Sequence, residues 1–384
     1  MTSTPALHLC IATGQNLANL IPALQCNAQE VWVLQTPAMR ERAGFLADAL
    51  KARGIAVQRI DFADDDVTTL HGQAAGIAER LDGRAVTINL TGGTKLMTLA
   101  LTDTLAAHLA TGNDLAQPHL VYTDTAHRRL DWLRPAPRSE DMADVLRLND
   151  ILLAQGYRRQ GASGGAEAAE WQRAAQQRKQ LTRQLGDQAV ALARFFGRLN
   201  SLAHSALNGP WRPEQEFDFT PGGAAADLLR SAQAAGVLTW NQQTEIVFHN
   251  EDGAQYLGGG WVEEYAGLKI SGMRPTEWAP RLLIESAGGH TPNELDAAVV
   301  HANRLLVIEC KAAAAHDNDV ADWIYKASQL ARRIGGQMAQ PLLLSARNIG
   351  DAQRQRAQEY GVHILAAGEL AALPVYLRRW MAGS

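Results

Sequence analysis

The 384-residue chain has little cysteine, no long apolar run and almost no excess of charge of one sign. Cys10, Cys26 and Cys310 are its three cysteines, far apart and without CxxC spacing. That excludes a disulfide framework and a cysteine zinc site, and it fits a reducing compartment. No apolar stretch reaches the roughly 18 residues of a membrane span. The opening MTSTPALHLCIATG has neither the basic start nor the oily core of a signal peptide. A cytoplasmic protein with no membrane partner is expected. With 36 Lys and Arg against 40 Asp and Glu the net charge is −4, which argues against a nucleic-acid coat protein. What is present is length and apolar content: 46% apolar residues in a chain long enough for two or three domains, each with its own core.

The most informative stretch is Asn293 to Ala312, NELDAAVVHANRLLVIECKA, two apolar runs separated by a polar break at His301 to Arg304. It reads as a hairpin. Residues two apart on a strand share a face, so Glu309 and Lys311 project together and Cys310 projects the other way. A carboxylate and an ammonium at the end of an oily strand are costly unless they pair or hold an ion. With Asp296 opening the first run, the pattern suggests two carboxylates gripping a divalent metal and a lysine positioning water for attack on phosphate. An ion pair at the end of a sheet strand is the alternative.

From residue 7 to about 133 strand patterns alternate with helical ones. The strands are expected at Leu7 to Ala12, Val31 to Leu34, Val57 to Ile60, Val86 to Leu90 and Leu120 to Tyr122, with a helix at Met39 to Arg53. This rhythm predicts a parallel, doubly wound α/β sheet whose ligands sit beyond the carboxyl ends of the strands. Two loops lie there: Thr13-Gly14-Gln15-Asn16, and Thr91-Gly92-Gly93-Thr94-Lys95 leading into a helix at Leu96 to Leu109. Free N–H groups at that helix start, with Lys95, suit phosphate. The spacing is neither a P-loop nor a GxGxxG fingerprint. A tight strand-to-helix turn that simply needs glycine is the competing reading.

Arg134-Pro-Ala-Pro-Arg138 reads as a domain boundary, and a mostly helical stretch follows, with a break at Gly161 to Gly165. Residues 151 to 200 carry eight Lys and Arg against three acids. Ala224 to Ala235, Val237 to Trp240 and Glu245 to Phe248 read as helix, strand, turn, strand, as in a winged helix; the alternative is a rigid spacer. Beyond Gly258 to Gly260 a helix begins at Trp261, with Trp261, Tyr265 and Leu268 on its core face. Further elements are expected at Leu282 to Ser286, Val320 to Gly335, Pro341 to Ser345, Ile349 to Tyr360 and Val362 to Leu365. Lys326 and Gln329 on the long helix are candidates for phosphate or the metal shell. Lys326, Arg332, Arg333, Arg347, Arg354 and Arg356 could supply general phosphate attraction.

Asp296 followed by Glu309-x-Lys311 across a hairpin resembles the PD-(D/E)xK nuclease motif, with Leu295 where the name-giving proline would stand. The Gly-x-Trp-Val-Glu run resembles the opening helix of that family, whose accessory glutamate would be Glu263. Asn89-x-Thr-Gly-Gly-Thr-Lys95 in a doubly wound sheet resembles the CARF domain, a CRISPR-associated Rossmann-like sensor of cyclic oligoadenylates. That resemblance implies a homodimer binding a ring of adenylates through Thr13, Gly14, Gln15, Gly92, Gly93, Thr94 and Lys95, with Thr36 a further candidate.

The fold class implied is α/β: a Rossmann-like CARF domain over 1–138, a helical, partly winged-helix-like connector over 139–257, and a restriction-endonuclease-like PD-(D/E)xK domain over 258–384. The combination resembles the cyclic-oligoadenylate-activated nucleases of type III CRISPR defence. It implies a cyclic tetra-adenylate activator, Mn2+ or Mg2+ held by Asp296 and Glu309, and Lys311 orienting the attacking water. The implied substrates are single-stranded DNA and RNA, with nicking of duplex DNA as a further option. Two other readings stay open: a constitutive restriction or repair endonuclease, and a non-catalytic, ligand-responsive DNA-binding regulator.

Overall fold

The computed structural model describes residues 4–63, 66–110, 118–160, 164–289, 292–312 and 317–383. In the N-terminal part β1 (Leu7–Ile11), α1 (Leu17–Gln25), β2 (Glu30–Gln35), α2 (Arg40–Ala52), β3 (Ala56–Asp61), α3 (Val67–Leu81), β4 (Val86–Asn89), α4 (Lys95–Ala110) and β5 (His119–Asp124) alternate as the apolar rhythm predicts. β6 (Arg129–Arg134) and β7 (Arg138–Asp141) complete a seven-stranded sheet of order β3-β2-β1-β4-β5-β6-β7. β1 to β5 run parallel, and β6 and β7 turn back antiparallel. β1 lies between β2 and β4, so the strand order reverses there, and the loops leaving β1 and β4 are neighbours at that switch point.

The proline stretch at 134–138 is a turn inside this sheet, where it was expected to end the domain at 138. β7 pairs with β6 beyond it, and the Arg138 guanidinium lies 4.5 Å over the Trp132 ring. After α5 (Leu148–Ala154), the short strand β8 (Tyr157–Arg159) joins the C-terminal sheet. Part of the expected connector is therefore an edge of the nuclease sheet. Residues 161–163 of the break expected at Gly161 to Gly165 lie outside the described residues.

The connector continues with α6 (Gly164–Gln177), α7 (Lys179–Asp187), α8 (Ala193–Leu207), β9 (Glu214–Glu216), α9 (Ala224–Ala234), β10 (Leu238–Trp240) and β11 (Glu245–Phe248). The last three, with β9, give a helix against a small antiparallel sheet of order β10-β11-β9, which is the wing arrangement read from the sequence. Next come α10 (Glu251–Gln255), α11 (Trp261–Met273), β12 (Glu277–Ser286), β13 (Asn293–His301), β14 (Arg304–Lys311), α12 (Asp317–Gly335), β15 (Ala339–Ser345), α13 (Asp351–Glu359), β16 (His363–Ala366) and α14 (Leu373–Ala382). The C-terminal sheet has the order β16-β15-β14-β13-β12-β8, antiparallel from β14 to β8 and parallel from β14 to β16. Trp261 and Tyr265 are buried as expected, while Leu268 is half-buried. Among the described residues no helix is long and apolar enough to cross a membrane.

The two large sheets share a core. Cys10, Val33 and Val121 of the first and Leu20 of α1 pack in one apolar cluster with Leu148 and Ile151 of α5, with Leu295, Val300 and Leu305 of the second, and with Ile334 of α12. Between them the β13–β14 turn, Ala302-Asn303, has both residues at positive φ (51° and 60°), the geometry a two-residue hairpin needs. The buried Asn303 side chain accepts the N–H groups of Val145 and Leu146, both at 2.9 Å, and donates to the Ala143 carbonyl at 2.6 Å. The segment leaving the first sheet is thereby bonded to the hairpin of the second.

Candidate active site and ligand-binding loops

The hairpin places its polar residues at the end of β14. Ala297 faces Ile308 across the ladder, so Asp296 and Glu309 stand one position further along. Lys311 Nζ lies 2.6 Å from Glu309 Oε1, and the Cys310 main-chain N–H donates to Asp296 Oδ2 at 2.6 Å. Glu309 is buried, and the ammonium of Lys311 also lies 5.7 Å from the centre of the Trp323 ring on α12. The fourth member comes from α11. Glu263 projects toward the site, where its charge is felt by Asp296, and Arg281 bridges it at 3.7 Å to Glu294 at 3.3 Å.

Electrostatics mark this cluster. Burial, with the negative charge of Glu309 beside it, pushes the Asp296 carboxyl up to about 6. Burial, with Asp296 nearby, pushes Glu263 up to about 8. Burial alone would lower the Lys311 pKa, but the carboxylates of Glu309 and Asp296 outweigh it and the net shift is upward. The site therefore holds more carboxylate than one ammonium neutralises. Its donors are hard oxygen atoms of the kind that Mg2+ and Mn2+ prefer. Among the described residues no three His, Cys, Asp or Glu side chains form a ready-made cation group. Asp296 and Glu309 could present two carboxylates to such a cation, whose other ligands would be water, main chain or phosphate.

The neighbouring Glu264 has a different environment. Almost fully buried, it takes bonds from Arg178 Nε at 2.8 Å and Nη2 at 2.5 Å, and Arg178 also pairs with Asp252. Thr182 and Tyr256 complete the network, with Thr182 Oγ1 2.8 Å from the Tyr256 hydroxyl. Of the other candidates, Lys326 is exposed and Gln329 half-buried. Trp323, Arg281 and Arg178 had no signal in the sequence, because each is set by contacts distant along the chain.

In the first sheet the β1 and β4 loops touch. A Cβ at Gly92 would run into the Ile11 carbonyl oxygen and come within 2.8 Å of Thr13 Cγ2. Gly93, at φ +81°, would put a Cβ 2.7 Å from the Ile11 side chain. Both glycines are therefore needed for the close approach of the loops, which gives the turn reading its physical reason without removing the ligand reading. Buried Asn89 ties the floor: it donates to the Ala18 carbonyl and Asn19 Oδ1, each at 3.0 Å, and accepts from Thr91 Oγ1 at 2.7 Å. Thr94 Oγ1 accepts from the Met97 N–H at 3.3 Å, as a helix N-cap does. Gly14, Gln15, Gly93, Thr94 and Lys95 are exposed there, and Thr13 is half-exposed. Thr36 caps the turn after β2, accepting from the Met39 N–H at 3.2 Å. Gln15 Oε1 reaches the nuclease half, accepting from the Gln337 N–H at 3.4 Å just past α12.

A family profile of the Card1 CARF domain matches residues 7–150, and one of the Card1-like endonuclease domain matches residues 250–384. The chain joins a Card1 CARF domain to a Card1-like endonuclease domain. The Card1 CARF profile extends past β7, and the endonuclease profile contains Glu263, Asp296, Glu309 and Lys311. Among solved structures, protein VC1899 from Vibrio cholerae is similar over 98% of each chain, with 20% identity and a TM-score of 0.85. Can2 from Sulfobacillus thermosulfidooxidans, solved in complex with cyclic tetra-adenylate, is similar over 98% of this chain and 99% of its own, with 20% identity and a TM-score of 0.77. A type III CRISPR defence DNA nuclease activated by cyclic oligoadenylate shares 17% identity at a TM-score of 0.51, over 91% of this chain and 46% of its own. At these identities the likeness is one of fold. No curated protein matches the sequence.

Proposed function

We propose that this chain is a homodimeric endonuclease of type III CRISPR defence, activated by cyclic tetra-adenylate, dependent on Mn2+ or Mg2+, and cutting single-stranded DNA or RNA. The observation that carries the reading is the convergence of Glu263, Asp296, Glu309 and Lys311 from one helix and two strands, with the Glu263 and Asp296 carboxyls pushed upward by burial and by negative charge beside them. Can2, similar along its whole length, binds cyclic tetra-adenylate, which supports the choice of activator.

Asp296 and Glu309 are the residues that would hold the cation. When bound, a divalent cation supplies charge neutralisation at the phosphate and a more acidic water. Lys311, kept charged by its carboxylate neighbours, orients the attacking water and offsets the charge growing on the phosphate oxygens. Glu263 is the accessory carboxylate. In the sensor, the exposed loop N–H groups and Lys95 meet the activator's phosphates.

Dimerisation is supported by α4. Its apolar side chains run around the helix, and Leu96 (54% exposed) and Leu99 (56%) face outward beside the ligand loops. Exposed leucines beside the ligand loops are suited to burial against a second copy, and a two-fold axis there doubles the groups that one loop offers to a ring of phosphates.

The test is cleavage of labelled single strands with Mn2+, with and without cyclic tetra-adenylate. Cutting is expected only with the ligand, and Lys311→Ala is expected to lower it about 100- to 10,000-fold while ligand affinity stays unchanged. A Lys311→Ala protein that still cuts at the wild-type rate removes the site assignment.

A further inference from the structure

Beyond the carboxylate site, the segment leaving β15 carries a cation, Arg347, with no carboxylate partner among the described residues. Ser345 pairs with Lys311 in the parallel ladder, and the Ala346 N–H donates to the Lys311 carbonyl at 2.8 Å. The next residue, Arg347, turns its guanidinium back across the strand end. Its Nε donates to the Ala312 carbonyl at 3.1 Å, one residue past Lys311, and its Nη1 donates to the Ala193 carbonyl of α8 at 2.5 Å. Facing it on α8 is Gly197, where a Cβ would stand 3.2 Å from Nη2. Further along α8, the Asn200 side-chain amide donates to the Gly258 carbonyl, just before the helix that carries Glu263.

Arg347 is half-buried, and among the described residues no carboxylate pairs with it; burial alone acts on its charge, lowering the pKa. The contrast is with Arg178, which has Glu264 and Asp252, and Arg354, which has Glu369 at 2.8 Å. A guanidinium has five N–H donors in a fixed fork, and main-chain carbonyls take two of them here. A partly desolvated cation with donors to spare calls for an anion. At the lip of a phosphodiester-cutting site, the anion at hand is a phosphate of the strand being cut.

We infer that Arg347 binds a phosphate of the nucleic-acid strand flanking the one under attack, and that α8, held by the same guanidinium, forms the facing wall of the substrate cleft. This rests on the nuclease reading above. It gives the connector a direct part in substrate binding, since α8 lies outside both matched domains.

The experiment uses the full chain with cyclic tetra-adenylate in EDTA, so that binding is read without cutting. Affinity for a fluorescent single-stranded oligothymidylate is measured by anisotropy across a salt series for wild type, Arg347→Gln and Arg347→Lys. Arg347→Gln should bind about 10-fold or more weakly, and the slope of log affinity against log salt should fall by about 0.7, the loss of one phosphate contact. Arg347→Lys should keep the wild-type slope with lower affinity. A brace that merely holds α8 would change the melting temperature and leave the slope alone, and an unchanged slope in Arg347→Gln overturns the inference. If Arg347→Gln does not fold, the wild-type chain decides: bound oligothymidylate should protect Arg347 from modification by phenylglyoxal, read by peptide mass spectrometry, and modification unchanged by the strand overturns the inference. A wild-type chain that binds no strand and, with Mn2+, cuts none overturns the nuclease reading along with it.

Discussion

Glu263 and Glu264 are adjacent on the first turn of α11 and have opposite surroundings. Glu264 is consumed by Arg178, whereas Glu263 reaches the carboxylates of the hairpin, where Arg281 and, less strongly, Lys311 offset its charge. This difference has a measurable consequence. A carboxyl whose folded pKa is raised binds a proton that the unfolded chain has already released, so its stabilising effect is full at low pH and fades as pH rises. For Glu263 the window runs from the ordinary 4.5 to about 8, and for Asp296 from 3.8 to about 6. In EDTA, wild type should therefore lose more melting temperature between about pH 5 and pH 8 than Glu263→Gln does. Mn2+ should shrink the difference, because a bound cation favours the charged carboxylates. Parallel curves for the two proteins would remove Glu263 from the site. That Glu263 is a candidate was legible from the family resemblance. Its environment was not, because Asp296, Glu294 and Arg281 arrive from strands distant along the chain.

Among the elements, those with a local signal were legible. The β13–β14 hairpin follows from two apolar runs and a two-residue turn, and the loop after β4 from a strand, two glycines and a helix start. The missed strands β7 (RSED), β8 (YRR) and β9 (EQE) are short and polar, and their pairing with β6, β12 and β11 is dictated by sheets already built. No periodicity announces such strands, so the boundaries at 138 and 257 divide segments that the sheets join. The ionic anchor between α7 and α11 was equally invisible, with Arg178 and Glu264 86 residues apart. Arg178→Met should strand Glu264 as a buried, unpaired charge and destabilise the protein by about 3–5 kcal/mol. Urea unfolding measures this, and a loss under about 1 kcal/mol would show Glu264 to be neutral or hydrated instead.

At the scale of the molecule, the sensor and the nuclease are packed together through one continuous apolar cluster. Asn303 bonds the segment leaving the first sheet to the nuclease hairpin, and Gln15 of the sensor loop meets Gly336 and Gln337 at the end of α12. A groove of about 460 Å³ opens at that last contact, lined by Gln15, Arg332, Gln337 and Tyr360. α12 also carries Trp323, which lies against Lys311. A ligand that moved Gln15 would thus act on the helix that borders Lys311. Coupling of this kind requires that the activator bind the cutting-competent arrangement more tightly than the resting one. The measurement that tests this most directly is a titration of cyclic tetra-adenylate into a fixed, high concentration of the chain, with cleavage of a labelled single strand in Mn2+ as the readout. Negligible cutting is expected without ligand, with a rise that breaks at one ring per two chains. Full-rate cutting before any ligand is added would contradict this coupling.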